Sequence, residues 1–82
     1  EFMNEQAKWF SDRLQREAPD SLEAQVVLAN RLTTGRTPST EEVERDVEFI
    51  AELKNGEGVD ESEALRLFAL TLLNMNEFVY LD

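Results

Sequence analysis

Residues 64–82 read A-L-R-L-F-A-L-T-L-L-N-M-N-E-F-V-Y-L-D, and up to Met75 the only polar side chains are Arg66, Thr71 and Asn74. A helix that is apolar on nearly every side has to be surrounded by other elements. This apolar stretch is also shorter than the about 20 residues that a membrane span requires. The sequence therefore predicts that these residues form the central helix of a small helical domain.

The composition limits the classes of function. The chain has 82 residues, of which 41% are hydrophobic, and this is enough for one core and one domain. It contains no cysteine and no histidine, so disulfides, thiolate or imidazole metal sites, thiol nucleophiles and imidazole bases are excluded. We therefore expect no enzymatic activity, no catalytic residue, no metal and no cofactor.

The charge of the chain bears on its partners. Eighteen acidic and eight basic residues give a net charge of −10. Such a surface repels phosphate backbones and anionic lipids, so we expect neither nucleic acid nor membrane binding. The charge and the short loops favour a monomer.

Apolar spacings of three and four residues predict three more helices ahead of the central one, and they place Leu32 with Val26 and Ala29 on the buried face of the second. The four helices are expected at about 4–17, 21–34, 40–54 and 61–75, and short links between helices favour antiparallel neighbours. The predicted fold is all-α: a compact antiparallel four-helix bundle with a docked C-terminal tail, forming a single domain over residues 3–82. Glu1 and Phe2 precede Met3 and look like a cloning remnant.

The helix boundaries are predicted from capping residues. Three pairs have the spacing of a capping box: Asp20 with Glu23, Ser39 with Glu42, and Asp60 with Glu63. The second helix should begin at Asp20 or Ser21. Gly35 is expected to end the second helix, and Asn55-Gly56 the third.

Two segments resemble a known family. Residues 28–42 read L-A-N-R-L-T-T-G-R-T-P-S-T-E-E, and residues 72–82 read L-L-N-M-N-E-F-V-Y-L-D. Together they resemble the C-terminal part of the planctomycete-specific domain of unknown function, the PSD family, which lies in large planctomycete proteins, commonly near a cytochrome c-type domain. The resemblance covers roughly residues 23–82. It implies a bacterial origin and an exported or periplasmic parent protein, and it implies no activity.

The same two segments contain the candidate structural or interface residues, which are Arg36, Asn76, Glu77, Phe78 and Tyr80. Arg36 and Glu77 could form an ion pair that ties the second interhelix turn to the chain end, or they could be two separate solvated charges. The aromatic residues, among them Trp9, Phe78 and Tyr80, are expected in the core, and an exposed aromatic groove for a partner helix is the alternative. If this domain does not cover Phe78 and Tyr80, they mark an interface.

Asp20-Ser21-Leu22 matches the attachment motif of acyl carrier proteins, which are small, acidic, four-helix domains modified with phosphopantetheine on the serine. Carrier proteins place a helix and a long loop ahead of that serine, and too little chain precedes Ser21 here. They also have a glycine two residues before the motif, where this chain has Ala18. A plain helix cap is the preferred interpretation of Ser21.

Two functions from different classes follow. The first is a structural or protein-interaction module that contacts another protein or the rest of a longer parent chain. The alternative is an acyl-carrier-like protein modified at Ser21. The acidic row Glu44-Glu48-Glu52 is expected to be a solvated helix face, because it has neither convergent ligands nor the spacing of a calcium loop.

Overall fold

The fold consists of four helices in a computed structural model that describes residues 2–19 and 21–75. The helices are α1 (Phe2–Glu17), α2 (Leu22–Thr34), α3 (Thr40–Glu57) and α4 (Glu61–Met75), and the described residues contain no strand. The predicted all-α four-helix fold is confirmed, and α4 has the predicted bounds. The predicted docked tail, residues 76–82, lies outside the described residues.

The second helix is capped at both ends by residues that the sequence predicted. The backbone of Ser21 is extended, and its hydroxyl accepts a hydrogen bond of 3.0 Å from the Ala24 amide. At the other end Gly35 adopts the left-handed conformation, with φ of 80°, and its N–H donates to the Arg31 carbonyl. Asp20, the first residue of a predicted capping box, lies outside the described residues, so Ser21 is the cap that the structure identifies.

The third helix begins with the predicted capping box but ends later than predicted. Ser39 and Glu42 exchange both bonds of the box, of 2.8 Å and 3.1 Å. The helix then continues through Gly56 to Glu57, and the left-handed residue that closes it is Gly58, with φ of 68°. Ending there allows Val59 to pack against the core, the hydrophobic contact that accompanies such caps. The predicted end at Asn55-Gly56 was therefore wrong.

The fourth helix is central, as its composition predicted, and it packs against each of the other three. Six of its side chains are buried: Ala64, Leu65, Phe68, Ala69, Leu72 and Leu73. Gln15 near the end of α1 donates to Ser62 at the start of α4, whereas Ala7 near the start of α1 packs with Ala69 and Leu73. The two helices are therefore antiparallel.

Three apolar residues that were expected in the core lie on the surface. Trp9 is 66% exposed, Leu32 is 40% exposed, and Met75, at the end of α4, is 69% exposed. The inward face of α1 is formed by Ala7, Ser11 and Leu14. At about 100° per residue, Trp9 lies roughly 200° around the helix from Ala7 and so is directed away from the core. Leu32 lies in the last turns of α2. Across the helix pair it faces the outer side of α1, the side that carries Trp9.

Candidate functional site

The described residues contain neither a cluster of metal ligands nor a membrane-spanning helix. No three acidic, histidine or cysteine side chains among them gather closely enough to hold a metal ion. The acidic row Glu44-Glu48-Glu52 is exposed along α3. None of the helices is long and apolar enough to cross a membrane over the part of the chain that the structure describes. The candidate sites are therefore surface clefts between helices.

The first cleft, the α1–α2 groove, has a volume of about 220 Å³. Its lining residues are Gln6, Trp9, Phe10, Arg13, Leu32, Thr33 and Leu73. Trp9 stands on the α1 side and Leu32 on the α2 side, and the buried Leu73 of α4 also contributes to the lining. Of these described lining residues only Arg13 is charged, and its Nε donates a hydrogen bond of 2.7 Å to Glu17. The groove is therefore an apolar notch that can take an apolar side chain.

The second cleft, the end cleft, has a volume of about 330 Å³ and lies where α2 ends, α3 begins and α4 ends. Its lining residues are Asn30, Thr34, Arg36, Glu42, Arg45, Asp46, Phe49, Phe68, Thr71, Leu72 and Met75. The ring centroids of Phe49 and Phe68 are 6.4 Å apart and the rings are tilted by 55°. With Leu72 they give the cleft an apolar floor. Met75, which is 69% exposed, also lines it.

The polar rim of the end cleft is held by side-chain pairs. The guanidinium of Arg36 donates to both carboxylate oxygens of Glu42, at 3.2 Å and 3.0 Å. The Asn30 amide donates to Asp46 at 3.1 Å and so joins α2 to α3. The hydrogen bond from Arg36, reinforced by the Ser39 N–H, lowers the pKa of Glu42 to about 2. The same hydrogen bond raises the pKa of Arg36. Glu42 therefore caps α3 and binds Arg36 at once.

Of the predicted structural or interface residues, only Arg36 lies within the described residues. Arg36 lies on the rim of the end cleft and is paired with Glu42. Asn76, Glu77, Phe78 and Tyr80 lie outside the described residues. The ion pair between Arg36 and Glu77 therefore stays a prediction.

Ser21 is exposed and its hydroxyl is occupied as the acceptor of the α2 cap. The prediction that Ser21 caps a helix is therefore confirmed. Modification with phosphopantetheine stays a prediction.

Sequence reasoning preferred the core for both groove residues, Trp9 and Leu32, because aromatic and periodic apolar residues are usually buried. An exposed groove was considered only for the aromatic residues, so Leu32 was missed. One signal was available for Trp9, since it stands off the i, i+3, i+4 stripe that contains Ala7 and Leu14. No comparable signal existed for Leu32. It continues the apolar spacing of Val26 and Ala29, both of which are buried.

Comparisons of the chain with protein-family models, with curated proteins and with solved structures found no match. The resemblance to the PSD family therefore stays a prediction that rests on the two quoted segments.

Proposed function

We propose that this chain is a protein-interaction module and that its contact surface is the α1–α2 groove, which receives a helix of another protein. The observation that carries the proposal is the exposure of Trp9, 66%, beside Leu32, 40%, on the two sides of one groove. Tryptophan combines a large apolar area with few rotatable bonds, and it is enriched among the residues that dominate binding energies. An exposed Trp-Leu pair is therefore suited to contact an apolar partner.

The size and shape of the groove favour a helix as the occupant. Its volume of about 220 Å³ lies below the roughly 300–1,000 Å³ of typical small-molecule sites. It is formed mainly by residues of two adjacent antiparallel helices, so a third helix can lie along it. In helix-in-groove recognition one apolar face supplies anchor side chains at positions i, i+3, i+4 and i+7. The groove has room for an apolar anchor of this kind.

Charge indicates the chemistry of the partner. The chain carries a net charge of −10, and the acidic residues of α3 are largely exposed. A helix with basic residues flanking its apolar face is attracted by this field, whereas a second copy of the chain is repelled. Among the described residues that line the groove, Arg13 is the one cation, and it is already paired with Glu17, so it does not repel a basic helix. The occupant is therefore a basic amphipathic helix.

The test uses two designed peptides of about 16 residues that share leucines at positions i, i+3, i+4 and i+7. One peptide carries lysines at the other positions, and the second carries glutamates there. Trp9 is the one tryptophan of the chain, so its fluorescence reports directly on the groove. We expect a saturable blue shift with the lysine peptide and none with the glutamate peptide.

Matched variants separate groove binding from general attraction between opposite charges. Trp9→Ser and Leu32→Ser should each weaken binding of a dye-labelled lysine peptide by about tenfold, which corresponds to about 1.4 kcal/mol. Met75→Ser removes another exposed apolar side chain, 69% exposed, from outside the groove and should leave the affinity unchanged. Equal affinities for all four chains would refute the groove as the contact surface.

A further inference from the structure

A third cleft lies where α1 ends and where α2 and α4 begin. The lining residues of this cleft, the glutamine pocket, are Gln15, Pro19, Gln25, Glu61 and Ser62. We propose that the glutamine pocket binds a primary ammonium group on a short alkyl chain, with the side-chain oxygen of Gln25 and the carboxylate of Glu61 as acceptors. The pocket shares no lining residue with the α1–α2 groove, so this site does not depend on the function proposed for the groove.

The side chain of Gln25, in the first turn of α2, contains a buried acceptor without a hydrogen bond. Gln25 is only 6% exposed, and its Oε1 has no hydrogen-bond partner in the described ranges 2–19 and 21–75. Leaving a buried polar atom unpaired costs free energy, so nearly all such atoms in folded proteins are bonded to protein, water or a ligand. Because Gln25 lines an open cleft, its partner can enter from solution. That partner must be a hydrogen-bond donor.

The other polar atoms of the pocket indicate the class of donor. The side-chain N–H of Gln15 donates to the Ser62 hydroxyl at 3.3 Å, which leaves the Gln15 oxygen as an acceptor. Glu61 accepts from Lys54 through Oε1 at 3.2 Å, and its second oxygen forms no hydrogen bond with the described residues. Glu61 is also the one charged side chain among the described lining residues. A set of oxygen acceptors that includes a carboxylate suits an ammonium, which has three N–H donors and a positive charge.

An anion is the competing ligand, because the pocket includes the first residues of α4 and a helix N-terminus favours negative charge. Asp60 already supplies that charge, since its carboxylate accepts from the Glu63 amide at 2.8 Å. Glu61 and Glu63 add two further carboxylates in the same turn. An anion would also leave the Gln25 oxygen opposite another acceptor, whereas the net charge of −10 attracts cations. The pocket therefore favours a cation.

The volume of the pocket limits the size of the ligand. About 250 Å³ lies below the roughly 300–1,000 Å³ of typical small-molecule sites, so the pocket takes a head group and a short stem. Pro19 is the apolar lining residue that an alkyl stem can contact. A primary amine is protonated at pH 7, because its pKa is close to the about 10.4 of a lysine side chain. Butylammonium has these properties and is therefore the probe.

The test titrates the ¹⁵N-labelled chain with butylammonium at pH 7 and constant ionic strength. The side-chain amide signals of Gln25 and the backbone amide signal of Ser62 should shift and saturate together, while the amide signals of Trp9 and Phe49, outside the pocket, stay in place. Tetramethylammonium has the same charge but no N–H, and it should shift none of these signals. Acetate, a pure acceptor, should not bind either.

Three results of these titrations would overturn the proposal. Equal shifts with tetramethylammonium would show attraction by charge alone. Saturable binding of acetate instead of butylammonium would show an anion site. The absence of a saturable shift with butylammonium would leave the oxygen of Gln25 bonded to water only.

Gln25→Met tests the orphan oxygen, because methionine has a similar length and only a weakly accepting sulfur. The variant should weaken butylammonium binding, followed at Ser62, by about tenfold or more. Without the amine it should raise the urea midpoint of unfolding, since the unpaired oxygen is gone. The amine should raise the midpoint of the unmodified chain and leave that of Gln25→Met unchanged. Equal affinities of the two chains would contradict the assigned contact.

Glu61→Gln and Glu48→Gln are a matched pair for the charge. Both remove one carboxylate from an exposed residue, but Glu48 lies on α3 and does not line the pocket. Glu61→Gln should weaken butylammonium binding, and Glu48→Gln should leave the affinity unchanged. An equal loss in both variants would show that only the overall charge matters and would overturn the site.

The same ammonium group can come from a free amine or from a lysine side chain of another protein. Nα-acetyl-lysine methylamide, which presents the lysine head group on a peptide unit, separates these sources. Binding as strong as that of butylammonium supports a lysine side chain as the ligand. Binding of butylammonium alone supports a free amine, and the ammonium site stands in both cases.

Discussion

Replacement of Phe68 by alanine should be the most damaging single truncation in the central helix. Phe68 is 2% exposed and is the largest fully buried side chain of the bundle. It packs in the main core, and its ring lies 6.4 Å from that of Phe49. Truncation at a buried phenylalanine loses the transfer free energy of the ring and leaves a cavity, which together cost about 3–5 kcal/mol.

This loss is a large part of the total stability. At about 0.05–0.15 kcal/mol per residue, a domain of 82 residues has a free energy of unfolding of roughly 4–12 kcal/mol. Each kcal/mol corresponds to about 4–8 °C in Tm for a domain of this size, so Phe68→Ala should lower Tm by roughly 12–40 °C. Phe68→Leu keeps most of the apolar volume and should cost less.

Urea unfolding followed by circular dichroism at pH 7 measures the free energy of unfolding for each chain. Trp9→Ala is the matched control, because it also removes an aromatic ring but from a position that is 66% exposed. It should change the free energy of unfolding by no more than about 0.5 kcal/mol. The slope of that free energy against urea concentration, the m-value, should stay the same. A cost below about 1 kcal/mol for Phe68→Ala, or an equal cost for both variants, would refute the assignment of the core.

Three further predictions concern single residues. Gly56→Ala should stabilise the chain by about 0.5–1 kcal/mol in urea unfolding, because Gly56 is helical and a Cβ meets nothing there, whereas Gly58→Ala should destabilise it, because φ is 68°. If Gly56→Ala destabilised the chain and Gly58→Ala stabilised it, α3 would end at Gly56, as the sequence predicted. Carboxyl NMR should titrate Glu42 near pH 2, and Arg36→Gln should raise this pKa towards 4.5. Because the folded-state pKa is the lower one, the pair stabilises the fold above about pH 4.5 and this stabilisation is lost as the pH falls towards 2. If the pKa of Glu42 were the same in the unmodified chain and in Arg36→Gln, Arg36 would not be the cause of the lowered pKa. Co-expression with a phosphopantetheinyl transferase should leave the intact mass unchanged, and a gain on Ser21 would instead support the carrier alternative.

Local features could be predicted because their causes lie within a few residues. The capping box of Ser39 and Glu42 joins residues three apart, and it formed as predicted. Gly35 closed α2 as expected for the same reason. The end of α3 was misplaced because Gly56 and Gly58 are both able to close a helix. Packing of Val59 against the core favours Gly58, and that contact is not visible in the local pattern.

The candidate sites depend on long-range contacts, so little of them could be predicted. Arg36 was identified, but its pairing with Glu42 follows from the turn geometry between α2 and α3. The end cleft brings Phe49 and Phe68 together from two helices, 19 positions apart in the chain. Apolar periodicity assigns both to the core without indicating that they form the floor of a cleft.

The sequence by itself determined that residues 2–19 and 21–75 fold into four helices and that α4 is the central one. These follow from apolar spacing, caps and composition, which act locally or through the total apolar area. Only the tertiary structure decided which apolar residues are covered. Trp9 and Leu32 are as apolar as their buried neighbours, yet they remain in contact with water because α1 and α2 carry them outside the area that α4 can cover.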